Sequence, residues 1–131
     1  GGRGDGNPLT LGDPTFSPLG APASNLNGPN FTPPFPAYPS GHAVFGGALF
    51  QTLRNFHRTD DIAFTFTSDE LNGVTAELLP RTFASLSEAE EESGQSRIYL
   101  GIHWKFDKTE GIAQGRRIAS YVFQNAFRPR R

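Results

Sequence analysis

The sequence predicts a mainly α-helical fold with one small β-hairpin, preceded by an extended, proline-rich arm. Three observations carry that expectation. Nine prolines crowd into residues 1–39, apolar residues recur at helical spacing after Ser40 and after Asp107, and one short run between these stretches alternates apolar and polar side chains.

Residues 1–39 form the arm. Pro8, Pro14, Pro18, Pro22, Pro29, Pro33, Pro34, Pro36 and Pro39 each remove a backbone donor and restrict the residue before them, so no helix fits. Such a segment either runs free as a tether or lies pinned across a folded surface. Phe16, Phe31, Phe35 and Tyr38 are too apolar for a solvated tether, which favours pinning.

Residues 40–131 form the helical core, with residues 57–86 as an irregular insertion. Ser40 suits a helix N-cap, and Phe45, Leu49, Leu53 and Phe56 recur at helical spacing, predicting one buried stripe. Gly46 and Gly47 sit inside this helix, where each costs about 1 kcal/mol relative to Ala, so a closely approaching backbone is expected. Within the insertion, Ile62 to Thr67 alternates like a strand and pairs with Arg81 to Ala84 around Asn72-Gly73. His57, beside Arg58, Asp60 and Asp61, reads as a solvated loop residue.

Ser87-Glu88-Ala89-Glu90 has the pattern of a capping box, with Ser87 as N-cap of a helix running toward Ser96-Arg97. The acids Glu88, Glu90, Glu91 and Glu92 then read as an exposed helix start rather than a cation site. Asp107-Lys108-Thr109-Glu110 is a second such box, opening a last helix with Ile118, Val122, Phe123 and Phe127 on its apolar side. Arg128, Arg130 and Arg131 form a basic terminus with no assigned role.

Composition narrows the function. The 131 residues suffice for one small domain or part of a larger one. A net charge of −1 gives no sign of a nucleic-acid partner. The absence of cysteine removes disulfides, thiolate metal sites and cysteine nucleophiles. No run approaches the roughly 18 apolar residues needed to span a bilayer. With no Met anywhere and Gly1-Gly2-Arg3 at the start, a processed chain or part of a longer one is expected.

Two constellations carry chemistry. Pro39-Ser40-Gly41-His42 stands at a helix start, where free N–H groups and the positive end of the helix dipole attract anions. Gly41 allows close approach, Ser40 adds a hydroxyl, and His42 exchanges protons near neutral pH. The plain structural reading is a capping serine and a surface histidine. The second constellation is Arg97, His103 and Asp107. Arg97 offers a permanently charged planar fork to an oxyanion. His103 is either a nucleophile or metal ligand held by a partner, or a part-buried histidine beside Trp104. Asp107 is either that partner or simply a helix cap.

The run Pro34-Phe35-Pro36-Ala37-Tyr38-Pro39-Ser40-Gly41-His42-Ala43 and the run from Ser96-Arg97 through Gly101-Ile102-His103-Trp104-Lys105-Phe106-Asp107 together resemble the second and third signature motifs of a known superfamily. It is the type 2 phosphatidic-acid-phosphatase and vanadium haloperoxidase superfamily, and the likeness is to its vanadium chloroperoxidase branch. The resemblance covers most of residues 5–110, loosely over 57–86.

It implies part of a helical bundle holding vanadate, with His103 as the metal ligand and Arg97, Ser40 and Gly41 binding the anion's oxygens. His42 would manage protons, and Phe35 would lie beside the halide. The implied activity oxidises halide with hydrogen peroxide to hypohalous acid. Phosphate shares the geometry and charge of vanadate, so an acid phosphatase with a phosphohistidine at His103, oriented by Asp107, is the alternative. A third reading is a non-catalytic fragment. The family's first motif, a Lys followed by an Arg-Pro pair, has no counterpart here, since the first Lys is Lys105. An upstream half of the protein or a partner chain is therefore expected to supply those cations. The resemblance leaves a homo-oligomer open and a secreted or periplasmic location among the options.

Overall fold

The computed structural model describes residues 8–9, 11–19, 32–67 and 80–126. Helix α1 spans Gly41–His57, strand β1 Phe64–Thr67, strand β2 Pro80–Phe83, helix α2 Leu86–Tyr99 and helix α3 Lys105–Asn125. The described residues thus form three helices and a two-stranded antiparallel hairpin, as the sequence predicts. No described helix is long and apolar enough to cross a membrane.

Helix α1 starts where expected, with the Ser40 hydroxyl accepting the Ala43 N–H at 3.4 Å. Its packing face is not the expected one. Phe45, Leu49 and Phe56 are exposed at 78%, 56% and 71%, and Ala43, Gly46 and Gly47 are buried instead. The reason lies in α3, which presents Gly111 and Gly115 to the same seam. A Cβ built on Gly47 would lie 2.5 Å from the Ile112 carbonyl oxygen, and one on Gly115 would lie 2.1 Å from that of Val44. The two backbones meet directly, and only residues without side-chain bulk line the crossing. The close approach expected at Gly47 is present. Gly46 instead faces the Ser93 hydroxyl at 3.4 Å, an ordinary contact.

The apolar side expected for α3 is also turned outward. Ile118, Val122 and Phe123 are between 41% and 46% exposed, whereas Asp107, Lys108, Gly111, Ile112, Gly115 and Ala119 are buried at helical spacing. Phe127 and the basic terminus lie outside the described residues. Helical periodicity identified both helices correctly but not the face each one packs within this chain.

Both capping frames shift. The N-cap of α2 is Ser85, whose hydroxyl accepts the Glu88 N–H at 3.1 Å, so Ser87 lies inside the helix. Glu90 is then not an exposed first-turn acid. It is 1% exposed and clamped by Arg54 of α1 at 2.8 Å and by Arg116 of α3 through both carboxylate oxygens. Asp60 extends the network, accepting from Arg54 at 3.1 Å and from the Ser87 hydroxyl at 2.9 Å. One buried carboxylate thus ties all three helices together. For α3 the N-cap is Trp104, three residues before Asp107.

The hairpin pairs Phe64 with Phe83 and Thr67 with Pro80, with the Thr65 and Thr82 hydroxyls 2.8 Å apart across the strands. Phe83 is buried and stacks on Phe64 and Phe66 at 5.4 Å and 6.0 Å. The expected Asn72-Gly73 turn lies outside the described residues. His57 closes α1 rather than sitting in a loop, but it is exposed. The described parts of the arm contain no helix or strand and do touch the core. The Leu19 N–H donates to the Leu100 carbonyl at 3.1 Å, and the Phe16 ring lies against Gly101.

Candidate active site

The site assembles where the N-termini of α1 and α3 meet the end of α2. Ser40 is fully buried, and its N–H donates to the Asp107 carbonyl at 3.2 Å, which fastens the start of α1 to α3. This contact needs Gly111, where an added Cβ would lie 2.9 Å from the Ser40 carbonyl oxygen. Gly41 follows at the first helical position, and a Cβ there would meet nothing within 4 Å. Open space therefore lies beside Gly41 at the helix start, where backbone N–H groups lack intrahelical partners.

His42 stands on the first turn of α1 beside that space. Its pKa is held below the ordinary 6.5, first by partial burial, then by the positive charges of Arg97 and His103. Three cationic or potentially cationic side chains from separate elements thus converge. Arg97 comes from the last turn of α2, and its Nε is buried with no hydrogen-bond partner. Burial alone lowers its pKa from the usual value, and no carboxylate among the described residues compensates it. A buried guanidinium N–H without a partner is costly, so its position favours an anion.

His103 follows the turn at Gly101 (φ 73°) and is 7% exposed. Its Nδ1 lies 3.4 Å from Asp107 Oδ2, and both side chains are almost wholly buried. Asp107 Oδ2 also accepts the Trp104 N–H at 2.8 Å, while Oδ1 is buried and unpartnered. Asp107 therefore unites its two sequence readings, lying beside His103 and satisfying the helix start from the third helical position rather than as N-cap. His103 Nδ1 faces that carboxylate without forming a hydrogen bond, which leaves the other ring nitrogen to meet a ligand.

Phe35 and His103 line one cavity of about 210 Å³ with Pro18, Thr32, Pro33, Ala37, Gly101 and Ile102. The arm thus supplies one wall and the turn before α3 the other. Of the residues singled out from the sequence, Phe35 and His103 line this cavity, Ser40 is bonded to Asp107 beside His103, Gly41 follows Ser40, and His42 feels the charges of Arg97 and His103. Gly111 was not singled out. Its four-residue spacing from Gly115, opposite the Gly46-Gly47 pair, was the available signal. Among the described residues no three His, Cys, Asp or Glu side chains converge as a metal cage. The donor set is one imidazole, one guanidinium, one hydroxyl and a helix start, which suits a tetrahedral oxyanion better than a bare cation.

Comparison with known proteins follows that chemistry. The chain is 42% identical to the vanadium chloroperoxidase of Curvularia inaequalis over 136 aligned positions, covering 80% of this chain and 22% of that protein. Among solved structures, it resembles the first bacterial vanadium-dependent iodoperoxidase, with a TM-score of 0.57 and 38% identity, over 71% of this chain and 21% of that one. It also shares its fold with a holo-type bacterial vanadium-dependent chloroperoxidase, at a TM-score of 0.58 and 20% identity, over 68% of this chain and 20% of that one. The chain therefore spans about a fifth of the length of these relatives. Residues 1–131 match a single family throughout, and the chain belongs to it: the VCPO second helical-bundle domain.

Proposed function

We propose that this chain forms the C-terminal part of the active site of a vanadate-dependent peroxidase, which oxidises halide with hydrogen peroxide to hypohalous acid. The observation that carries the reading is the buried Nε of Arg97, without a partner among the described residues, beside His42 and His103. A tetrahedral oxyanion satisfies all three and fills the space over Gly41. In this reading His103 is the metal ligand, oriented by Asp107. Arg97, the Ser40 hydroxyl and the Gly41 N–H hold the oxygens of the anion. His42, whose pKa is lowered by partial burial and by the charges of Arg97 and His103, takes up and returns the protons of peroxide. Phe35 gives the halide an apolar wall. Vanadate, when bound, supplies a Lewis-acid centre that activates peroxide toward halide. Phosphate competes for the same place.

The site needs more positive charge than this chain provides. The expected Lys and Arg-Pro cations belong to an upstream half or a partner chain. The outward apolar faces of α1 and α3, with Phe45, Leu49, Phe56 and Phe123 exposed, fit docking of that half. A phosphatase on the same scaffold is the second reading, favoured by the His103–Asp107 pair, which would also orient a nucleophilic imidazole. The test is vanadate reconstitution of the complete protein. Bromination of a phenol-type dye by peroxide and bromide is the expected result, whereas phosphoester turnover without halogenation would assign the phosphatase.

A further inference from the structure

We propose that Lys108 is a positioning residue for Arg97, holding α2 and α3 in the relative placement that aims the guanidinium at an oxyanion beside His103. The inference rests on the oxyanion site proposed above and names a residue outside it.

Lys108 is 7% exposed, and lysine is rarely buried without a partner. Its Nζ donates to Gln95 Oε1 at 2.9 Å and also to Glu91 Oε1, both on α2. Glu91 and Gln95 are four residues apart, so they stand on successive turns of one helix face. Anchors on successive turns oppose both rotation of α2 about its axis and sliding along it. The lysine stem reaches them across Gly94, where an added Cβ would lie 2.7 Å from Lys108 Cγ and 3.0 Å from Cδ.

The bond from Lys108 to Gln95 closes the stretch of chain between them, and Arg97, His103 and Asp107 all lie on that stretch. Arg97 is two residues beyond Gln95, about 200° round the helix, so it leaves α2 on another side. Rotating α2 by about 10° would carry a group about 6 Å from the axis by roughly 1 Å. A misplacement of about 1 Å can cost on the order of a hundredfold where a site depends on alignment. A second polar tie between the helices, Glu90 with Arg116, lies about two turns further along α3. It holds α2 nearer its start, whereas Gln95 stands within one turn of Arg97.

Stability alone does not explain this arrangement. A buried ion pair often contributes no more than apolar side chains of the same volume, so an unbranched apolar stem would serve the fold as well. The ammonium adds a fixed geometry, and Arg97 is the site residue nearest to Gln95 along α2.

The test is Lys108→Met in the complete protein. Methionine keeps an unbranched stem across Gly94 and removes the ammonium, while Glu91, with its side chain 61% exposed, stays hydrated. Vanadate affinity by calorimetry should fall about tenfold, and phosphate affinity with it. A merely structural lysine would shift the denaturant midpoint and leave the affinity of the folded protein unchanged. Arg97→Lys supplies the discriminating background, because a flexible ammonium depends less on alignment than a planar fork. There, adding Lys108→Met should weaken vanadate binding by less than about threefold. Gln95→Met removes the anchor nearest Arg97 and replaces Lys108→Met should that variant not fold; it should weaken binding in the same direction. Unchanged vanadate affinity in the folded variant would overturn the inference and leave the oxyanion site standing. A full tenfold loss in the Arg97→Lys background would also overturn it, since Lys108 would then act by a route other than Arg97. A parent protein that takes up neither vanadate nor phosphate would instead sink the oxyanion site itself.

Discussion

Replacing Gly115 by Ala probes the seam that brings the two halves of the site together. A Cβ at Gly115 would lie 2.1 Å from the Val44 carbonyl oxygen and 2.7 Å from the Ala48 nitrogen, both backbone atoms of α1. Ordinary contact begins at 3.4 Å, so α1 and α3 must separate by about 1 Å. Helix propensity favours Ala by about 1 kcal/mol, but overpacking of this kind costs roughly 1–3 kcal/mol and more where rigid backbone must move. The expected net effect is a loss of roughly 1–2 kcal/mol.

The control is Gly46→Ala, whose Cβ meets the Ser93 hydroxyl at an ordinary 3.4 Å. Propensity should then prevail, with a gain of up to about 1 kcal/mol. Denaturant unfolding of the complete protein, followed by circular dichroism, reads both as shifts in midpoint at unchanged slope. Because Ser40 rides on α1 and Asp107 on α3, Gly115→Ala should also weaken vanadate affinity. A Gly115→Ala protein as stable as the parent, or less perturbed than Gly46→Ala, would refute the glycine-seam argument.

Three further outcomes follow from the site and its supports. Arg97→Gln removes a positive charge that depresses His42, so the His42 pKa should rise toward 6.5 without reaching it, because burial persists; imidazole proton titration by NMR reads this directly. By linkage, a depressed histidine binds protons more readily in the unfolded chain, so its contribution to stability is lost as pH falls from 6.5 through the folded pKa. His42→Ala should flatten that part of the stability–pH curve. Asp107→Asn keeps an acceptor for the Trp104 N–H but loses the charge facing His103 Nδ1, and vanadate affinity by calorimetry should fall about 10–100-fold. Glu90→Ala strands Arg54, whose side chain is 14% exposed, and should destabilise by roughly 3–5 kcal/mol, whereas Glu90→Gln should cost less because hydrogen bonding to both arginines survives.

Much of this arrangement was legible in the sequence, and the parts that were not share a physical cause. Ser40 was readable as a cap because its hydroxyl acts locally, three residues away. The hairpin was readable from alternation, whereas the candidate site residues were singled out by the resemblance of their two motifs, since the chemistry of each alone left a purely structural role open. Facing was not readable. A stripe of Phe45, Leu49 and Phe56 marks a helix that buries something, but periodicity does not say whether the covering surface belongs to this segment. The seam used here is written in small residues, which carry little hydropathy signal. The capping frames slipped because several serines and acids stand within one turn of each other. Glu90 is missed for a related reason, since its partners Arg54 and Arg116 are 36 and 26 residues away.

The most direct test is a crystal structure of the complete protein soaked with vanadate. The expected result is one oxyanion bonded to the His103 ring nitrogen that does not face Asp107, with Arg97, Ser40 and the Gly41 N–H on its oxygens. Vanadate bound elsewhere, or a His103 ring turned away from His42 and Arg97, would contradict it.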